Sequence, residues 1–160
     1  MKDEPAFIED GSMFEVMIES YLASLLNCKF EKFNNDIEIK SVILFGSVAR
    51  GQAKDHSDID IIVVASGLPE LKKRDELPPF RSPARIQDIW MTPEELEDMV
   101  IAKTGFVVDA LLEGKVLFDD GTARAAREML VQSLERLKIR KLEHGWMIAR
   151  TELDAVISFD

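Results

Sequence analysis

Two short apolar stretches most constrain how this chain can fold. The first strand-like segment, Ile39–Gly46, ends in VILFG, and the second, Asp58–Ala65, ends in IIVVA. Side chains of a strand point alternately to opposite faces, so a continuous apolar run needs burial on both of them. The sequence therefore predicts two interior strands of one sheet, with helices on its faces.

The second stretch opens with two aspartates, Asp58 and Asp60, separated by one residue. A strand has a period of two, so both carboxylates should lie on one face, with Cα atoms about 7 Å apart. Like charges this close to a buried strand are unfavourable unless a positive charge lies between them. The pair therefore predicts a site for a cation.

A third acidic residue is expected to join this pair. Ala84–Met91 alternates as a strand does, and Asp88 stands on the matching parity of that strand. If the strands are neighbours, three carboxylates would converge, and oxygen ligands of this kind suit Mg²⁺. Glu94 and Asp98 are weaker candidates for the third acid, because both should lie on a helix.

The loop before the aspartates contains small and polar residues. Gly46 allows a sharp turn and close backbone approach to a ligand, and Ser47 follows at the start of a predicted helical turn, where free N–H groups favour an anion. An ordinary turn would use the same two residues. Arg50 and Lys54 are equally consistent with solvated side chains. The combination is more specific: Gly46-Ser47, ten residues, then Asp58-Ile59-Asp60.

The remaining patterns are mostly helical. Ser12–Lys29 has apolar residues at helical spacing behind a capping-box pattern, and Thr92 followed by Pro93 marks another helix start. A further helix is expected to stop at Gly114, before a short edge strand. From Thr122 to about residue 157 the pattern is again helical. The predicted fold class is α/β (α+β), a small mixed β-sheet flanked by helices with a helical C-terminal extension.

A short heptad-like seam runs through the last helical region. Its members step by four and three: Leu142, Trp146, Ala149, Leu153 and Val156. The seam either packs on its own domain or forms a surface for a second copy or another partner. About two heptads do not decide between these alternatives.

Composition limits the functional classes. A chain of 160 residues with net charge −10 is a poor general binder of nucleic acid or anionic membranes. One cysteine excludes an intramolecular disulfide. Neither a secretory signal nor an apolar run of transmembrane length is present in the sequence, so we expect a cytoplasmic protein.

The segment GSVARGQAKDHSDIDIIV resembles the signature of the nucleotidyltransferase superfamily that includes DNA polymerase β, in its minimal, stand-alone form. The resemblance covers roughly residues 37–118. It implies a polymerase β-like catalytic core over 37–120, an N-terminal helical segment over 1–36 packed on it, and a helical extension over 121–160.

The resemblance also implies a mechanism, in which a nucleoside monophosphate, most simply AMP from ATP, moves to a hydroxyl group. Asp58, Asp60 and Asp88 would be catalytic residues and ligands of two Mg²⁺ ions. Gly46, Ser47 and Arg50 would bind the nucleotide.

Members of the minimal family often pair with a helical HEPN toxin and modify one of its tyrosines. The resemblance therefore implies a nucleoside triphosphate as substrate and a HEPN-domain protein as partner. The heptad-like seam adds a second copy, bound through the C-terminal helix, as a further candidate partner. The alternatives are a small-molecule nucleotidyltransferase of the aminoglycoside type and a non-catalytic nucleotide-binding module.

Overall fold

The structure, a computed structural model, describes residues 6–144, with side chains described over 13–138. A four-stranded mixed sheet lies between two helical layers. Short 3-10 turns occupy Glu31–Phe33 and Leu71–Glu76. The other elements, in chain order, are α1 (Ala6–Leu26), β1 (Glu38–Phe45), α2 (Gly46–Ala49), β2 (Ile59–Ser66), β3 (Ile86–Met91), α3 (Pro93–Ile101), α4 (Gly105–Glu113), β4 (Lys115–Asp119) and α5 (Thr122–His144).

The sheet has the order β3-β2-β1-β4. Strand β1 pairs antiparallel with β2 and with β4, whereas β2 and β3 are parallel. The two strands predicted from the apolar stretches are therefore the two central ones. The short strand expected after Gly114 is β4, which lies at one edge of the sheet, also as predicted.

Each face of the sheet is covered by a separate apolar core. On the first face, α1 packs Phe14, Ile18, Tyr21 and Leu25 against the odd-numbered residues of β2. On the second face, α3, α4 and α5 pack against the even-numbered residues of β2. Because side chains alternate along β2, the residues from Ile61 to Ala65 face the two cores in turn. The two-sided burial explains the uninterrupted apolar run IIVVA.

Helix boundaries agree with the sequence signals at some places and not at others. The predicted cap of α3 is present: the Thr92 hydroxyl accepts from the Glu95 N–H at 3.1 Å, and the Glu95 carboxylate accepts from the Thr92 N–H at 2.8 Å. Helix α1, however, begins at Ala6 and not at Ser12. The prediction of a capping box at Ser12 is wrong, because the helical hydrogen bonding continues through that residue and outweighs the local capping signal.

The C-terminal helical prediction is confirmed as far as His144. Helix α5 packs on α3, α4, β1 and β4, and it buries Ala123, Ala126 and Leu130 in the second core. The heptad-like seam from Leu142 onward falls outside the described side chains. The division at residues 36 and 120 stays a prediction.

Between residues 6 and 144, the helices are too short or too polar for any of them to cross a bilayer.

Candidate functional site

Asp58 and Asp60 lie where β2 begins, at the end of the sheet where β1 finishes. Asp58 is exposed immediately before the strand, and Asp60 is its second residue and is partly buried. Asp60 pairs with Phe45, the last residue of β1, and with Gln87 of β3. The strand–loop–strand unit therefore brings the loop that follows β1 next to the aspartates, as the sequence predicted.

Gly46 makes the close approach of this loop to Asp60 feasible. Its φ is +78°, a left-handed conformation that favours glycine. A Cβ atom at this position would collide with the Asp60 carboxylate. The backbone that continues into Ser47 therefore lies directly beside the second aspartate, and no larger residue fits at Gly46.

Arg50 brings a positive charge to this site. Its backbone N–H donates to the Gly46 carbonyl at 3.1 Å, which closes the single turn of α2. Its guanidinium Nη1 lies 3.2 Å from both carboxylate oxygens of Asp109 on α4. The sequence reasoning missed Asp109. A charged residue in the middle of the apolar run FVVDALL was the signal that could have pointed to it.

The electrostatics of Asp60 reflect this crowding. Burial raises the pKa of the Asp60 carboxyl, and the negative charges of Asp58 and Asp109 raise it further, while the Arg50 guanidinium partly opposes them. Three carboxylates and one guanidinium thus influence one small region. A second positive charge beside Asp58 and Asp60 would relieve the excess negative charge.

Asp88 does not join this cluster, and the prediction that its parity matches that of Asp60 is wrong. In the parallel register Asp60 lies opposite Gln87, whereas Asp88 lies opposite Ile61 and so faces the α1 side of the sheet. There its carboxylate accepts a hydrogen bond of 2.6 Å from the hydroxyl of Tyr21 on α1. The strands are neighbours, as expected, but they are offset by one residue relative to the register that the prediction required.

The weaker candidates for a third acid, Glu94 and Asp98, are both exposed on α3, on a helix as anticipated. Over the described residues, no group of three or more His, Cys, Asp and Glu side chains is arranged to hold a metal ion. Mg²⁺ does not require such a group, because one or two carboxylates suffice when substrate phosphates and water supply the other oxygens. Asp58 and Asp60 fit that smaller ligand set.

A protein of known name is similar to part of this chain. A Methanocaldococcus jannaschii protein named "Putative protein adenylyltransferase" is 43% identical over 58 residues, which are 36% of this chain and 38% of that protein. This chain thus spans well under half of the relative's length.

Two solved structures have similar backbones at low sequence identity. One is a toxin–antitoxin with AMP-PNP (19% identity, TM-score 0.46, 72% of this chain and 91% of that chain). The other is a mutant of the toxin–antitoxin MntA-HpeT (16% identity, TM-score 0.44, 78% of this chain and 93% of that chain).

A protein family also matches, over more than half of the chain. Residues 30–122 match the family described as "Polymerase beta, Nucleotidyltransferase". The matched range contains all four strands and every residue of the candidate site. The protein therefore belongs to the polymerase β nucleotidyltransferase family.

Proposed function

We propose that the protein transfers AMP from ATP to a hydroxyl group of another protein, in a reaction that depends on Mg²⁺. The observation that carries this proposal is the placement of Asp58 and Asp60 beside the Gly46 backbone and the Arg50 guanidinium. A carboxylate pair for a metal ion and a cationic loop for phosphate then lie within one strand–loop–strand unit. The name of the Methanocaldococcus jannaschii relative supports adenylyl transfer to a protein.

Each residue has a distinct part in the proposal. Asp58 and Asp60 would hold Mg²⁺, Asp60 from within β2 and Asp58 from the exposed position just before that strand. The backbone at Gly46 and Ser47 approaches the phosphates closely, because no Cβ intervenes. Arg50 pairs with a phosphate oxygen through its guanidinium. When bound, the cation supplies positive charge against the charge that develops on the phosphates.

The transfer exchanges one phosphorus–oxygen bond for another. The acceptor hydroxyl oxygen forms a bond to the α-phosphorus, and the bond between that phosphorus and the oxygen bridging to the β-phosphate breaks. Pyrophosphate leaves with the electron pair, and the hydroxyl proton is released to solvent. The site residues align the triphosphate for this displacement and offset its charge.

A tyrosine on a small helical HEPN-type toxin is the acceptor that we propose. The resemblance to minimal nucleotidyltransferases motivates this choice. A second copy bound through the region beyond residue 121 stays a prediction, which gel filtration with light scattering would test.

The experiment uses ATP labelled at the α-phosphate, Mg²⁺ and the purified protein, incubated with native lysate. Asp60→Asn serves as the inactive variant, and Asp55→Asn, which removes the same charge from an exposed loop residue, serves as the matched control. We expect one labelled protein with the native chain and with Asp55→Asn, and none with Asp60→Asn. Mass spectrometry then identifies the modified residue.

The other outcomes separate the alternatives. Label on a small molecule alone would favour an enzyme of the aminoglycoside-modifying type. ATP binding that depends on Mg²⁺ without transfer to any acceptor would favour a binding module. Equal labelling by the native chain and Asp60→Asn would overturn the assignment of the site.

A further inference from the structure

We infer that Asp109 is a positioning residue of the nucleotide site. It holds the Arg50 guanidinium beside α4 and away from the carboxylates of Asp58 and Asp60. The inference rests on the proposed function, because it gives Arg50 a phosphate to contact. It adds to the site a residue that is distant in sequence and lies on a different element, α4.

The contact itself is specific. Nη1 of Arg50 lies 3.2 Å from Oδ1 and 3.2 Å from Oδ2 of Asp109. The carboxylate is the less exposed partner, with 22% of its side chain exposed against 37% for Arg50. Partial burial on the carboxylate side reduces solvent screening of the pair relative to two fully exposed partners.

The setting of Asp109 on its helix also indicates a specific role. It is the one charged residue between positions 105 and 112, and its neighbours Val108 and Ala110 are buried in the second core. A carboxylate in a mostly apolar helix lowers stability unless a partner compensates it. Arg50 is that partner, and the ion pair ties α4 to the turn of α2, which faces the aspartates.

Without Asp109, a second position is open to the Arg50 side chain, beside Asp60. The backbone of Arg50 is fixed by its hydrogen bond to Gly46, so the remaining freedom is in the side chain. Arg50 ends the helical turn that begins at Gly46, and Gly46 lies against the Asp60 carboxylate, so the Arg50 side chain starts close to Asp60. Released from Asp109, the guanidinium would move toward Asp60 and compete there with a divalent cation. Asp109 therefore keeps Arg50 ordered for phosphate and leaves Asp60 free for metal.

The test compares Asp109→Asn with Glu113→Gln, which removes one negative charge from an exposed position one turn further along α4. Binding of a non-hydrolysable ATP analogue is measured with and without Mg²⁺, together with KM, kcat and the Mg²⁺ concentration for half-maximal transfer. For Asp109→Asn we expect the analogue Kd and KM to rise about two- to five-fold, the range for a partly exposed ion pair. The required Mg²⁺ should rise, with little change in kcat. Asp109→Glu, which keeps the charge, should recover most of the loss.

A double variant separates positioning from a general structural role. If Asp109 acts through Arg50, Asp109→Asn should have no additional effect on Kd in an Arg50→Gln background. An equal effect in both backgrounds, or an effect equal to that of Glu113→Gln, would overturn the inference. If the native chain transfers AMP and Asp109→Asn has the same Kd, KM and Mg²⁺ requirement, only the inference is overturned. A native chain that neither binds nor transfers the nucleotide would overturn the proposed function and the inference with it.

Discussion

Asp60 and Asp88 lie on neighbouring strands, close in register, yet they face opposite sides of the sheet. Asp60 faces the α4 side, among Asp58, Asp109 and Arg50. Asp88 faces the α1 side and receives a hydrogen bond from the Tyr21 hydroxyl. The comparison shows that two aspartates on neighbouring strands have different surroundings. A carboxylate close to other negative charges favours a cation. A carboxylate that accepts a hydrogen bond from a neighbouring side chain, as Asp88 does from Tyr21, is already compensated.

The largest expected effect separates these two aspartates directly. Asp60→Asn should reduce transfer by about 100-fold or more, because loss of a metal ligand removes several kcal/mol of charge stabilisation. Asp88→Asn should leave transfer within about two-fold of the native rate, as expected for a substitution away from the site. Initial rates with labelled ATP at saturating Mg²⁺ measure both. A loss of similar size in Asp88→Asn would place Asp88 in the reacting site and contradict the register.

Gln87 offers a way to sharpen the comparison, because this exposed residue lies opposite Asp60 in the register. Gln87→Asp places a third carboxylate beside the pair on the Asp60 face. We expect it to lower the Mg²⁺ concentration for half-maximal transfer by about ten-fold, or ~1.4 kcal/mol. Gln87→Asn is the matched control, because asparagine has the same side-chain length as aspartate but no charge. Identical Mg²⁺ dependence of the two variants would show that position 87 does not face the metal.

The opposite face is tested by Tyr21→Phe. The Tyr21 hydroxyl donates to Asp88 at 2.6 Å, and burial, together with the Asp88 charge and hydrogen bond, strongly raises the pKa of Tyr21. The phenol therefore stays protonated and remains a donor. Removing the hydroxyl should lower the free energy of unfolding by about 1.5 kcal/mol, as for a hydrogen bond to a charged group. Urea unfolding measures the loss, and transfer should be unchanged. A fall in transfer without a fall in stability would contradict a packing role.

Much of this arrangement could be predicted from sequence, because local patterns determine it. The apolar stretches identified β1 and β2 as central strands, since burial on both faces leaves no polar alternation. Gly46 was recognised from the turn that follows β1, and the structure adds the reason, which is the lack of room beside Asp60. Asp58 and Asp60 could be placed at the beginning of β2 because an apolar run follows them directly.

The rest depends on contacts that the local pattern does not encode. The alternation along β3 shows which residues of that strand share a face, but parity alone cannot fix the offset between two strands. The pair of Arg50 and Asp109 joins residues 59 positions apart, and only the packing of α4 beside α2 brings them together.

The smallest expected effect concerns a third carboxylate, Glu95, whose partners come entirely from the fold. The Arg74 guanidinium donates to it at 2.7 Å, and with the Thr92 N–H it lowers the pKa of Glu95 below its ordinary value of 4.5. Because the folded pKa is the lower one, this stabilisation is present above pH 4.5 and is lost as the pH falls through the folded pKa. The shift is opposite in sign to that of Asp60, whose pKa is raised.

Glu95→Gln should therefore cost about 1 kcal/mol of unfolding free energy at pH 7, allowing for partial solvent screening of the ion pair with Arg74. The difference from the native chain should shrink as the pH falls below 4.5, because Glu95 then loses its charge in the native chain as well. Urea unfolding at a series of pH values measures it, with the exposed Glu97→Gln as control. A constant difference at all pH values would mean that Glu95 acts through packing or its capping bond. Convergence at low pH would show that the fold stabilises the charged form of Glu95 through Arg74. Asp60 is the opposite case, because its surroundings disfavour the charged form.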